Sequence, residues 1–216
     1  MLVAGLVVLY AALDIVAQLL PPHYSAITQA ESDLAVGPYG GIMTANFVVR
    51  GVLTLLFLFG FARTVEAEGG SWRTYGRGFA AFLVWGVGAF LLAAFPTDVP
   101  STPVSWHGAI HLVVAIVAFL GGALGTYWLA TRFGESPSLR PARAWAKALS
   151  ILCLVLVAVE LLGGMLIARL SGDVGGLLER LFLGSVLLWL FLVAIFLART
   201  RPTSGEACSV APTPAT

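Results

Sequence analysis

Charge is what this sequence most lacks. Lys and Arg number 12 and Asp and Glu 11 in 216 residues, so only 11% of the chain is charged, where a soluble domain carries about a quarter. With a net charge of only +1, the chain has no basic footprint for nucleic acid. Cysteine is nearly absent as well. Cys153 lies inside an apolar block and Cys208 in the C-terminal tail, an arrangement that suits neither a disulfide framework nor a zinc motif. There is no GxSxG elbow, no phosphate-binding loop and no dinucleotide fingerprint. Nucleotide cofactors are therefore not expected.

What is present is apolar sequence: 59% of the residues, a mean hydropathy of +0.94, and long blocks rather than stripes. A bilayer core takes about 20 mostly apolar residues per helix. Six blocks qualify, at 2–20, 40–62, 77–95, 107–130, 145–168 and 181–198. The predicted fold class is all-α: a polytopic membrane protein built as a six-transmembrane-helix bundle. The intervening segments carry Pro, Gly and charge and are too short for a soluble domain. Residues 1–199 read as one transmembrane domain, and the Pro/Thr-rich segment 200–216 reads as a disordered cytoplasmic tail. The first block reads as a span, not a cleaved leader: it is long, lacks a basic n-region and is interrupted by Asp14.

Basic residues orient the bundle. Arg63, Arg73 and Arg77 flank the second connection; Arg132, Arg140, Arg143 and Lys147 flank the fourth; Arg199 and Arg201 follow the sixth span. The opposite side has Arg169 and Arg180 alone. The positive-inside rule then places both termini in the cytoplasm, with the cell (plasma) membrane as the expected location. Trp72, Trp128 and Trp145 fall near inner ends and Trp106 near an outer one, as an aromatic belt does.

Charged groups inside the hydrocarbon are costly unless paired or wet, so each is a functional candidate. Asp14 and Gln18 lie one turn apart on the first span, Asn46 and Arg50 on the second, and His107 and His111 on the fourth. Glu160 lies in the fifth, and Glu179 and Arg180 open the sixth. Asp98 stands in the outer loop before the fourth. All fall in the outer half, above an inner half of Leu, Val, Phe and Ala. This pattern predicts one polar cluster or water-filled cavity opening outward over an apolar floor. The candidate ligand-binding set is Asp14, Asn46, Arg50, Asp98, His107, His111, Glu160 and Arg180. The other reading is that such polar contacts only glue helices together, with Arg50 paired to Glu160 or Asp14 to fix registry.

The segment FPTDVPSTPVSWHGAIH, residues 95–111, is the most polar. Its prolines end the third helix, and Ser105 has the position of an N-cap for the fourth. His107 and His111, at i and i+4, could bind a metal together with Asp98 or Glu160, although HxxxH alone is a weak signal. Haem is not expected, because its two axial ligands come from opposite faces and the remaining histidine, His23, is in a loop. Gly121 and Gly125 have the spacing of close helix packing.

In order along the chain come SDLAVGPYG, then Asn46-Phe47 followed by Gly51, GVGAFLLAAFPTD, SWHGAIH and GLLERLFLGSVLLW. This order resembles the domain of unknown function 998 family of prokaryotic multipass membrane proteins, over nearly the whole chain. FPTD followed by HGxxH carries most of the likeness. Two departures are the GLLER segment, where an amide often precedes the arginine, and a very short arm before the first span. The resemblance implies six helices and marks Ser32, Asn46, Asp98, His107, His111 and Arg180 as motif positions. It implies no activity.

Two classes of function follow. One is a non-enzymatic membrane protein that binds a lipid or small molecule, with the bilayer as its surroundings. The other is an intramembrane enzyme acting on a lipid or isoprenoid at the outer leaflet, with Asp98, His107, His111 and Glu160 as acid, base or metal ligands. Metal-dependent lipid hydrolases of that kind need a third histidine within the membrane, and this chain has none there.

Overall fold

The structure, a computed structural model, describes residues 1–20, 22–99, 102–166 and 174–200. Six α helices make up the body: α1 Leu2–Leu19, α2 Gly40–Ala67, α3 Gly76–Ala94, α4 Trp106–Thr131, α5 Arg143–Leu166 and α6 Gly175–Thr200. All six are long and apolar enough to cross a membrane, and the described residues contain no strand. The molecule is a multipass membrane protein. Large apolar side chains face outward along its length, among them Phe59 at 67% exposure and Leu162 at 65%; lipid, not water, is the solvent that makes such a surface stable.

Helices adjacent in sequence pack side by side, α6 closes back onto α1, and α2 and α4 also reach α6. Small residues set the close approaches. A Cβ on Gly121 would stand 2.8 Å from the Ala81 carbonyl oxygen, and one on Gly125 would stand 2.5 Å from the Phe82 ring. The Gly121–Gly125 pair is thus a packing surface against α3. Aromatic rings fill the middle of the bundle: Phe82 stacks on Trp189 at 5.8 Å, and Phe57 lies 5.8 Å from both.

Two helix boundaries differ from the hydropathy reading. Helix α2 runs on to Ala67, because the amphipathic turn after residue 62 continues the backbone ladder beyond the apolar run. Helix α6 begins at Gly175 instead of 181, so Glu179 and Arg180 sit more than a turn inside it. The Gly175-Gly176 start lets the backbone come against the α1–α2 connection, where Leu177 N–H donates to the Ile27 carbonyl at 3.0 Å. The tail 201–216 and Arg169 lie outside the described residues.

Candidate functional site

The α1–α2 connection folds back over one end of the bundle. Within it Glu31, only 3% exposed, opens a short 3-10 turn, Glu31–Ala35. Tyr10 of α1 donates to Glu31 Oε1 at 2.7 Å, and the Glu31 backbone N–H donates to Glu179 Oε2 of α6 at 2.8 Å. One loop residue therefore ties α1 to α6. Burial first, then the neighbouring Asp14 and Glu179 carboxylates, pushes the Glu31 carboxyl up to about 8.

Arg180 is the second tie. Its Nη1 donates to the carbonyls of Ala26 at 3.1 Å, Gln29 at 3.0 Å and Gly176 at 3.0 Å. Its Nη2 donates to the Tyr24 hydroxyl at 2.5 Å, and the guanidinium carbon lies 5.1 Å from the Tyr24 ring centroid. Tyr24 in turn donates to the Gln29 carbonyl at 2.8 Å and to that of Ala30. The guanidinium thus serves carbonyls of the loop and of the first turn of α6 together, which its planar fork does well. A Cβ on Gly176 would collide with the Gln29 backbone, so only glycine allows the loop to seat this closely.

Arg50, 1% exposed, has no acidic oxygen within 4.0 Å among the described residues. The ion pairs there are Arg63–Glu66, His107–Asp98 and Arg132–Glu135. The expected pairing of Arg50 with Glu160 or Asp14 is thus replaced. Its guanidinium carbon lies 4.5 Å from the Trp85 ring centroid and 5.3 Å from that of Phe47, where aromatic faces accept a cation. Its Nε and Nη2 have no hydrogen-bond partner among the described residues. The charge acts at longer range on Tyr10, Glu31, Glu179 and His111. Asn46, one turn away, is fully buried, and among the described residues its side chain bonds only Met43 Sδ, at 3.9 Å.

The FPTD…HGxxH segment builds a latch between α3 and α4. The chain turns extended at Phe95, the residue before Pro96, so the carbonyls that follow α3 have no helical partners. His111 Nδ1–H donates to the Phe95 carbonyl at 2.7 Å and His107 Nδ1–H to that of Pro96 at 3.2 Å. Asp98 accepts from the Ser105 N–H at 2.8 Å and hydroxyl at 2.5 Å, while Ser105 caps α4 by accepting from the Gly108 N–H at 3.1 Å. The Ser105 hydroxyl, then its N–H, hold the Asp98 carboxyl below the usual range. A Cβ on Gly108 would run into the Asp98 carboxylate. The motif that stood out in the sequence thus joins two helices, and each imidazole spends Nδ1 on a carbonyl.

The eight sequence-selected residues do not form one site. Asp98, His107 and His111 gather at the α3–α4 end. Asp14, which accepts from Gln18 at 2.6 Å, joins Arg180 and Glu31 on the α1–α6 side, and Arg50 stands between the two groups. Glu160 feels Glu179 and is separate from the histidines. No three His, Cys, Asp or Glu side chains among the described residues converge as a metal site. Glu31, Tyr10 and Tyr24 escape a sequence reading because they lie outside the blocks searched for intramembrane charge or look like ordinary interface residues. The one signal was that Glu31, the sole Glu between the first two spans, directly precedes SDLAVGPYG.

Glu31 gives a direct prediction. A carboxyl raised from 4.5 to about 8 on folding contributes stability that is complete below pH 4.5 and lost as pH rises through 8. Thermal unfolding in detergent should show wild-type stability falling across that window by a few kcal/mol, about 1.4 kcal/mol for each pH unit between the two values. Glu31→Gln keeps the Tyr10 acceptor and should flatten the profile. Equal slopes in the two proteins would refute the assignment.

A cavity of about 260 Å³ opens beside this cluster. Its wall includes Tyr24, Gln29, Asp33, Tyr39 and His23 from the α1–α2 connection, with Val99 from the α3–α4 loop. Burial raises the Asp33 carboxyl above its ordinary range. Among known proteins, the family model described as "Protein of unknown function (DUF998)" matches residues 3–195. No curated protein and no solved structure matches the chain.

Proposed function

The chain belongs to that family, whose description names no activity, and on this premise we propose that it is a non-catalytic binding protein. Its ligand is the hydrogen-bonding headgroup of a lipid or small amphiphile, taken into the cavity lined by Asp33, Tyr24 and Tyr39. The observation that carries this reading is where free polar capacity lies. Asp98, His107 and His111 are engaged in joining α3 to α4, whereas the outer cavity presents Asp33, His23 and Tyr39 to an occupant and rests on the Arg180–Tyr24 tie. Pockets of this kind, mostly apolar with a few placed polar groups, are the usual form of a ligand site. The asymmetry of basic residues supports a cytoplasmic position for both termini in the plasma membrane, which puts this cavity at the outer face.

The enzymatic alternative needs a nucleophile or metal near Asp98, where both histidines have Nδ1 on a carbonyl and only Nε2 left to serve it. Native mass spectrometry of the full chain, with elemental analysis, separates the two. Binding predicts an organic adduct in the wild type that falls about tenfold or more in Asp33→Asn with Tyr39→Ala. A protein with no adduct, or an adduct indifferent to both changes, sinks the proposal. Stoichiometric metal lost in His107→Ala with His111→Ala would favour the enzyme instead.

A further inference from the structure

At the opposite end of the molecule a second concavity, about 320 Å³, lies between the start of α3 and the end of α4. Arg73, Arg77 and Arg132 line it, with Trp128 and Tyr75. Neither Arg73 nor Arg77 has an acidic partner among the described residues, and Arg132 makes only an exposed contact with Glu135 at 3.7 Å. Tyr75 is 2% exposed, yet its hydroxyl has no hydrogen-bond partner there. Exposed arginines at an inner membrane boundary are ordinary topology signals. Three of them around a cavity with an unused buried hydroxyl at its wall are more than that.

The faces that carry this cavity continue into the membrane. Arg77, Val84 and Leu91 recur every seven residues and share one stripe of α3; Thr131, Leu124 and Val117 do the same on α4. Val84, Val87 and Leu91 with Val113 and Val117 line an apolar groove of about 360 Å³ between the same two helices. From Arg77 to Val87 is ten residues, ~15 Å of helix, which is the depth of one leaflet of a ~30 Å hydrocarbon core. The α3–α4 seam is shallow enough to form a groove because glycines 78, 121 and 125 bring the helices together.

We propose that the α3–α4 seam is the seat of one anionic phospholipid, its phosphate held by Arg73, Arg77 and Arg132 and an acyl chain laid in the valine-lined groove. Charge complementarity decides the occupant. A cationic cavity at headgroup depth, in line along the same two helices with an apolar groove, fits a lipid carrying net negative charge better than a zwitterionic one, and basic pockets between spans on the cytoplasmic side are the recurrent form of such sites. Trp128 supplies the amphipathic ring usual at that depth. The seat is independent of the outer cavity and uses none of its residues.

The test reconstitutes the full chain in nanodiscs of equal phosphatidylglycerol and phosphatidylcholine and counts retained lipids by native mass spectrometry. Wild type should retain phosphatidylglycerol over phosphatidylcholine by roughly a hundredfold, the three cations contributing roughly fivefold each at contact. The preference should fall to near parity in Arg73→Gln/Arg77→Gln/Arg132→Gln. It should persist when Arg63, Arg140 and Arg199 are changed to Gln, which removes the same charge from the same side. Tyr75→Phe, a single-atom change that keeps the ring packing, should weaken it, so the proposal stays testable should the triple variant misfold. Equal retention of the two lipids by wild type overturns the seat. So does an equal loss in the control triple, which would mean diffuse surface charge, or full replacement of the lipid by millimolar inorganic phosphate. Asp33→Asn and Tyr39→Ala should leave this preference intact, so that failure here and failure at the outer cavity are told apart.

Discussion

Replacing Arg50 by alanine is expected to cost the bundle about 3 kcal/mol or more at pH 9 and distinctly less at pH 6. Two effects separate by pH. The first is a cavity and lost contact with the Trp85 and Phe47 rings, present at any pH. The second is electrostatic. Arg50 favours the ionised form of Glu31, whose carboxyl sits at about 8. At pH 6 that carboxyl is protonated with or without the arginine. At pH 9 the wild type carries it ionised with the Arg50 charge acting at longer range, and the variant must bury it without that help or keep the proton. Raising the folded value further moves the loss of stability to higher pH and deepens it. Arg50→Met restores volume and should recover most of the stability at pH 6 but little at pH 9. Thermal unfolding in one detergent at both pH values measures this, and a penalty that does not change with pH removes the electrostatic role.

A double-mutant cycle places the same charge. Coupling between Arg50 and Glu160 should be near zero, since the charge acting on Glu160 among the described residues is that of Glu179. Arg50 with Glu31 should couple by about 0.5 kcal/mol or more, as interacting neighbours do. The reverse result would restore the registry pair.

Arg180→Ala is the other large effect, on the order of 3–5 kcal/mol. Charge-assisted hydrogen bonds are worth ~1.5–3 kcal/mol each, and the change strands the Ala26 carbonyl and takes a charged donor from the Gln29 carbonyl and the Tyr24 hydroxyl, which keep only their bond to each other and the one from Tyr24 to Ala30. The loss should be local before it is global. Limited proteolysis is expected to cut within residues 22–30 while the helices stay protected. Lysine at 180 can reach the carbonyls but offers no planar fork to Tyr24, so it should rescue in part. A variant as resistant to cleavage as wild type would show that the α1–α2 connection seats without this tie.

Individual residues show where sequence sufficed. Ser105 was identifiable as the α4 cap because a cap needs only a hydroxyl at the right step before an apolar run. Gly121 and Gly125 were identifiable as packing positions because small residues four apart have few other uses in a span. Arg50 was marked as costly, yet its partners were not foreseeable: two aromatic faces, one a turn away on its own helix and one on α3, took the place of the carboxylate that charge counting suggests. Glu31 was passed over because a charge in a connection looks solvated until the connection is seen folded inward. The histidines drew notice by spacing, and only the position of the α3 terminus revealed that loop carbonyls occupy them.

Hydrophobic run length alone determined the six spans, because a segment of about 20 apolar residues can satisfy its backbone in lipid only as a helix. Side-chain charge along the connections likewise specified which end is basic. Tertiary structure decided everything that depends on contacts between distant segments: the α1–α2 loop pinned by Glu31 and Arg180, the division of the polar residues into two groups, and the arginine-lined end of the α3–α4 seam. Those contacts join groups up to 156 residues apart. Their partners are fixed by how the helices pack, and no local pattern in the chain encodes that packing.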